Sequence, residues 1–130
     1  GAVQSLVYLL NTAISNNDIT EVKRLLSEND GAIDDPRVLA AFYKLQGDVA
    51  RTEIDFVSAI KFFQKAQNIG SENQSQVGYQ LNIASTFLAQ NNYENAIQTL
   101  QKIIDNSDIG FNEKNIAEEL LAYAKHKMRI

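Results

Sequence analysis

Apolar residues recur along this chain at a stride close to that of an α-helix. Leu81, Ala84, Phe87 and Leu88 share one face, and Ile97, Leu100, Ile103 and Ile104 share another. Polar breaks separate such segments: Asn16-Asn17-Asp18, Arg51 to Asp55, and Asn91-Asn92. Val, Ile and aromatic residues are scattered among Ala, Leu, Lys, Glu and Gln rather than alternating, so strands are not predicted. The pattern predicts an all-α chain with helices over about 2–15, 19–29, 36–51, 55–69, 73–90, 93–107 and 113–129. These form three helical hairpins and a final helix.

The segments also repeat. At an offset of 37 residues, Leu10, Gly47, Ala84 and Leu121 fall in register, as do Leu9, Gln46, Ile83 and Leu120. Ala13, Ala50, Phe87 and Ala124 follow, then Val22, Ala59 and Ala96, then Leu26, Phe63 and Leu100. Self-similarity at such a period is the signature of stacked repeat units. The units span about 3–35, 36–72 and 73–110 within a single domain, with 113–129 as a terminal capping helix. Asp18, Asp55 and Asn92 are placed to cap the second helix of each unit, and Asp18-x-x-Glu21 has the form of a capping box. Gly31, Gly70 and Gly110 suit left-handed ends between units. Asp35-Pro36, Ser71-x-x-Gln74 and Asn112 suit helix starts.

Gly47 lies inside a helical segment, where glycine costs about 1 kcal/mol relative to alanine. A close crossing of the two helices of its unit, with Gly47 facing Ala59 and Ala84 facing Ala96, offsets that cost. The second unit reads Tyr43-x-x-Gln46-Gly47-x-x-Ala50, then Ala59-x-x-x-Phe63-x-x-Ala66. It resembles the tetratricopeptide repeat family. The third unit carries Ile83, Ala84, Phe87, Ala96 and Leu100, and the first a degenerate set of Leu9, Leu10, Ala13, Val22 and Leu26. The stride exceeds the family's ~34 residues, and Gln46 stands where the family has leucine. The resemblance implies a right-handed solenoid of antiparallel helical hairpins that binds protein or peptide on its concave face, with no catalysis of its own.

Carried onto this chain, the resemblance places Val7, Asn11 and Ile14, then Ala41, Lys44, Asp48 and Arg51, then Gly78, Leu81, Ser85 and Leu88, and finally Glu118, Ala122 and Lys125 along that groove. Lys44, Asp48, Arg51, Leu81, Ser85 and Leu88 form the expected partner-binding set. Lys44 and Asn82 alone echo the family's carboxylate clamp, and Asp48 with Glu118-Glu119 places negative charge nearby, so such a clamp is not predicted. An amphipathic helix or extended peptide fits this mixed lining. The first helix is apolar around most of its girth, and Val3, Val7 and Ile14 mark a possible association surface, to be covered by a preceding segment, a partner or a second copy. Self-association is therefore the alternative role. A peptide-sensing domain of a larger regulator is another, as is a soluble domain on the cytoplasmic or periplasmic side of a bacterial membrane.

Composition narrows the chemistry. The 130 residues are 45% hydrophobic with a net charge of −4, enough for a core and lacking the basic field that attracts nucleic acid. No cysteine is present, so disulfides and thiolate sites are excluded. No apolar run approaches the ~20 residues of a membrane span. The chain opens Gly1-Ala2 without a charged leader, so no signal peptide is read, and flanking sequence is expected. His126 is the sole histidine and sits near a helix C-terminus, where its charge suits the dipole. Lys125, Lys127 and Arg129 read the same way. Asp30, Asp34 and Asp35 lack the spacing of a calcium loop and read as solvated or capping residues. Asn73-Gln74-Ser75 is a glycosylation-type sequon. No phosphate loop, metal-ligand cluster or paired-carboxylate signature is found, so neither cofactor, metal nor enzymatic activity is expected.

Overall fold

A computed structural model describes residues 2–69, 76–106 and 108–129. They form α1 (Ala2–Ser15), α2 (Ile19–Glu28), α3 (Pro36–Thr52), α4 (Phe56–Ile69), α5 (Gln76–Ala89), α6 (Tyr93–Ile104) and α7 (Phe111–Met128). No strand occurs among the described residues, and none of their helices is long and apolar enough to cross a membrane. Each helix packs on its sequence neighbours, and α5 also touches α7.

The turn inside each hairpin is the same structure three times. Asn17, Ile54 and Asn91 hold φ at 55°, 63° and 59°. Each donates its N–H three residues back, to Ile14, Arg51 and Leu88. The next residue donates five back: Asp18 to Ala13, Asp55 to Ala50 and Asn92 to Phe87, each at 2.9 Å. This pair of bonds is the Schellman motif, which satisfies carbonyls that a helix end leaves unpaired. The same Asp18, Asp55 and Asn92 then cap the following helix, accepting from the N–H of Glu21, Ser58 and Asn95 at 3.1, 3.2 and 3.3 Å. One residue thus closes one helix with its backbone and opens the next with its side chain.

This double role corrects the expected capping box. The Asp18 N–H is already bonded to Ala13, so Glu21 has no donor to reach back to. Its carboxylate turns instead to Arg24, which also holds Glu28 at 2.6 Å. The glycine assignments also divide. Gly31 has φ +82° with open space where a side chain would be, so backbone conformation is what calls for glycine there. Gly110 is not left-handed. It has φ −70° and ψ 158° and caps the N-terminus of α7 without a side chain, so that helix starts at Phe111 rather than about 113. Gly70 and the Ser71-x-x-Gln74 start lie outside the described residues. Asp35 accepts from the Arg37 N–H at 3.0 Å, and Pro36 opens α3, as read from the sequence.

Buried side chains form clusters that follow the chain. Leu6, Leu10, Val22, Leu25, Phe42 and Val49 join α1, α2 and α3. Ala50, Ala59, Phe63 and Ile83 join α3, α4 and α5. Ala84, Leu100, Ile103 and Ala117 join α5, α6 and α7. Phe63, Leu100, Ile103 and Val22 are fully buried, each contributing roughly 1.5–3 kcal/mol by leaving water. The buried Thr86 hydroxyl donates to the Asn82 carbonyl at 2.7 Å, which removes the cost of an unpaired polar group.

The side chain nearest Gly47 is Phe63. A Cβ on Gly47 would stand 2.5, 2.7 and 2.8 Å from three carbons of the Phe63 ring. The repeat register shows a compensation in size. Gly47 goes with Phe63 and Ala84 with Leu100, a smaller residue on the first helix with a larger one on the second, while the first unit pairs Leu10 with an equal Leu26. Because Phe63 is fully buried, its ring cannot swing into solvent to admit a methyl group. Gly47→Ala is therefore expected to destabilise the fold by about 1–3 kcal/mol despite its better helix propensity. Adding Phe63→Leu should recover part of that loss, as measured by urea unfolding. Gly78 is the contrasting case, since a Cβ there meets nothing within 4 Å. Gly78→Ala should raise stability by up to about 1 kcal/mol.

Ile54 is the one β-branched residue among the three left-handed positions, and its side chain is 73% exposed. Left-handed backbone costs such a residue roughly 1–2 kcal/mol. Ile54→Asn, copying Asn17 and Asn91, should stabilise by about 1 kcal/mol in the same assay. An unchanged or lower midpoint would show that the exposed isoleucine makes a compensating contact.

Candidate functional site

A trough of about 270 Å³ lies between α1 and α3. Val3, Leu6, Val7, Leu10 and Ile14 line one wall; Val38, Ala41, Phe42 and Leu45 line the other; Ile33 contributes from the α2–α3 connection. Asn11, Lys44 and Asp48 supply its polar edge. The trough exists because α1 turns a flank of branched side chains toward α3, where Ala41 is too short to meet them. Val7 and Ile14 consequently stay 43% and 45% exposed.

Lys44 and Asp48, one helical turn apart on α3, pair at 2.9 Å. Both are half exposed, so the pair contributes only a few tenths of a kcal/mol. Its larger effect is to leave the edge without net charge, since α1 carries no charged residue. One turn further, Arg51 donates from Nη1 to the Ser85 hydroxyl at 3.1 Å and so joins α3 to α5. Ser85 in turn donates to the Asn82 carbonyl at 3.0 Å.

Of the residues singled out from the sequence, Val3, Val7, Asn11, Ile14, Ala41, Lys44 and Asp48 thus share one trough, and Arg51 and Ser85 are in direct contact. Leu81 packs on the cluster of α5, α6 and α7. Leu88 is half-buried one turn beyond Ser85, and Gly78 is exposed. Glu118, Ala122 and Lys125 are exposed on α7. Val3, Val7 and Ile14 face the trough, and the outward apolar residues of α1 are Tyr8 and Leu9, 70% and 47% exposed. On α7, Glu113, Glu118, Glu119, Lys125 and Lys127 are all exposed, as is Arg129 at its C-cap, but Phe111, Ile116, Tyr123 and Met128 stand exposed among them. The outer side of this terminal helix is therefore mixed rather than purely solvating.

A second hollow, of about 430 Å³, was not read from the sequence. It lies where α2, α3 and α4 meet, with Leu26, Val49, Ala50 and Phe62 beneath and Lys23, Asp30, Glu53 and Asp55 around it. Lys23 bridges to Glu53 at 2.9 Å and ties the first hairpin to α3. Residues 23 and 53 lie 30 positions apart, off the repeat stride, so periodicity gave no hint of the pairing. Among the described residues, no group of His, Asp or Glu is arranged to hold a metal ion.

Neither a protein-family model nor a curated protein matches this chain.

The Asp55 carboxylate accepts from the Ser58 side chain and N–H, which holds its pKa below the usual value, and Lys61 adds a smaller pull in the same direction. A depressed folded pKa adds stability that is present above the unfolded value of about 3.9 and is lost as pH falls through the folded value. Asp55→Ala should therefore lower the thermal midpoint at neutral pH. The gap to the parent should narrow below about pH 4, in a melting series across the acid range. A gap independent of pH would contradict the assigned cap.

Proposed function

We propose that this chain is a tetratricopeptide-like stack of helical hairpins that binds a protein or peptide segment without catalysis, along the face formed by α1, α3 and α5. The observation that carries the reading is the trough between α1 and α3. It is an apolar hollow with a polar edge, continued by Arg51 and Ser85 onto α5. The recurrence of one turn geometry at the 37-residue offset supports the repeat assignment. Clusters that follow chain order support an open stack rather than a single closed centre. A groove of this composition suits an amphipathic helix or an extended segment, whose apolar side chains enter while its polar side stays wet.

Selection of binders from a displayed library of short peptides on the intact chain tests this. Selected peptides should lose at least tenfold in affinity to a variant carrying Arg51→Glu and Leu88→Asp, and to one carrying Ile14→Asp. They should keep their affinity for Ile116→Asp on α7. Peptides indifferent to the first two variants and sensitive to the third would place binding elsewhere and overturn the reading.

Self-association is the second reading, favoured by a specific distribution. Of the ten exposed large apolar residues among those described, eight lie on the terminal helices α1 and α7. A strict monomer at high concentration in sedimentation equilibrium would count against it.

A further inference from the structure

We infer that the trough between α1 and α3 is an anchor pocket for one large uncharged side chain of the bound segment. The inference rests on the proposed binding role and adds the chemistry of the partner residue.

Three observations carry it. The first is size: about 270 Å³ exceeds the ~150 Å³ that suffices for benzene in an apolar protein cavity, so a two-ring side chain can enter. The second is lining: apart from Asn11 and the Lys44–Asp48 pair, the walls are aliphatic or aromatic. The third is charge. No charged residue comes from α1, and the ammonium of Lys44 is matched by the carboxylate of Asp48 at 2.9 Å. A charged side chain entering here would lose its hydration and find no unmatched partner, which selects against it. A large apolar group instead covers Val7 and Ile14, which are close to half exposed without it. Buried central anchors of this kind dominate binding at many interfaces.

The chain has no tryptophan, so an added indole is a clean fluorescent reporter. Three indoles that differ in charge serve as probes: neutral N-acetyltryptophanamide, anionic N-acetyltryptophan and cationic tryptamine. The neutral probe should bind the intact chain with a blue-shifted emission, and at least tenfold more tightly than either charged one. Ala41→Phe fills the trough from α3, and Asn11→Phe fills it from α1. Either should reduce neutral-probe binding at least tenfold while leaving the thermal midpoint no lower. Phe111→Ser, which removes an exposed ring on α7, should leave binding unchanged.

Equal or tighter binding of a charged probe would overturn the neutral-anchor assignment. So would loss of binding in Phe111→Ser, or retained binding in the two filled variants. Absence of any blue shift, while selected peptides still respond to Arg51→Glu with Leu88→Asp, would refute the anchor and leave the groove standing. Absence of both responses would refute the two together. Probe-dependent dimerisation in sedimentation would assign the trough to a second copy and also overturn the proposal.

Discussion

The structure depends on a turn in which a single residue serves two helices. Asp18, Asp55 and Asn92 each give their N–H to a carbonyl five residues back and offer their side chain to an N–H three residues ahead. Each connection is three residues long, and the N–H of every residue in it is bonded to a carbonyl of the preceding helix. The geometry requires the preceding residue to be left-handed, which asparagine tolerates and isoleucine, at position 54, adopts at a cost. Because the same bonds recur at residues 13, 50 and 87 and at residues 14, 51 and 88, each hairpin starts from the same backbone geometry.

Identical turns leave side-chain size to decide how close the helices lie. Where the first helix has glycine, at position 47, the second supplies the Phe63 ring; where it has alanine, at position 84, Leu100 suffices. Between α1 and α3 no such compensation occurs. Ala41 faces a flank of branched side chains and leaves a hollow. The close α3–α4 packing and the open α1–α3 trough are thus two outcomes of one rule, with complementary sizes in one place and mismatched sizes in the other. A packed pair gives rigidity, and an unfilled neighbour gives room for something to bind.

Much of the helical layout was legible because its causes are local. The helical stride, the caps at Asp18, Asp35, Asp55 and Asn92 and the proline at position 36 act within a few residues, and the structure repeats them. What escaped the reading was set by competition or by distance. Glu21 was assigned to a donor that the turn had already taken. Gly110 was given a left-handed role, although its φ of −70° is open to any residue. The left-handed positions fell on Asn17, Ile54 and Asn91 instead. Asparagine at two of the three was a usable signal, masked by isoleucine at the third. The Phe63 ring over Gly47 and the Lys23–Glu53 bridge depend on how helices meet in space. Of the expected groove, the α1 residues and Ala41, Lys44 and Asp48 of α3 converge on one trough, where an apolar flank and the short Ala41 oppose each other. Leu81 does not join them, since it is drawn into the cluster around Leu100 and Ile103.

The most direct test of the repeated turn is amide hydrogen exchange at Asp18, Asp55 and Asn92 in the native chain. Each N–H is bonded across the helix end, so all three should be strongly protected and should lose protection together when the hairpins unfold. Exchange at the rate of a free amide at any one of them would show that its turn is not closed, and would contradict the account of this fold as one hairpin geometry used three times.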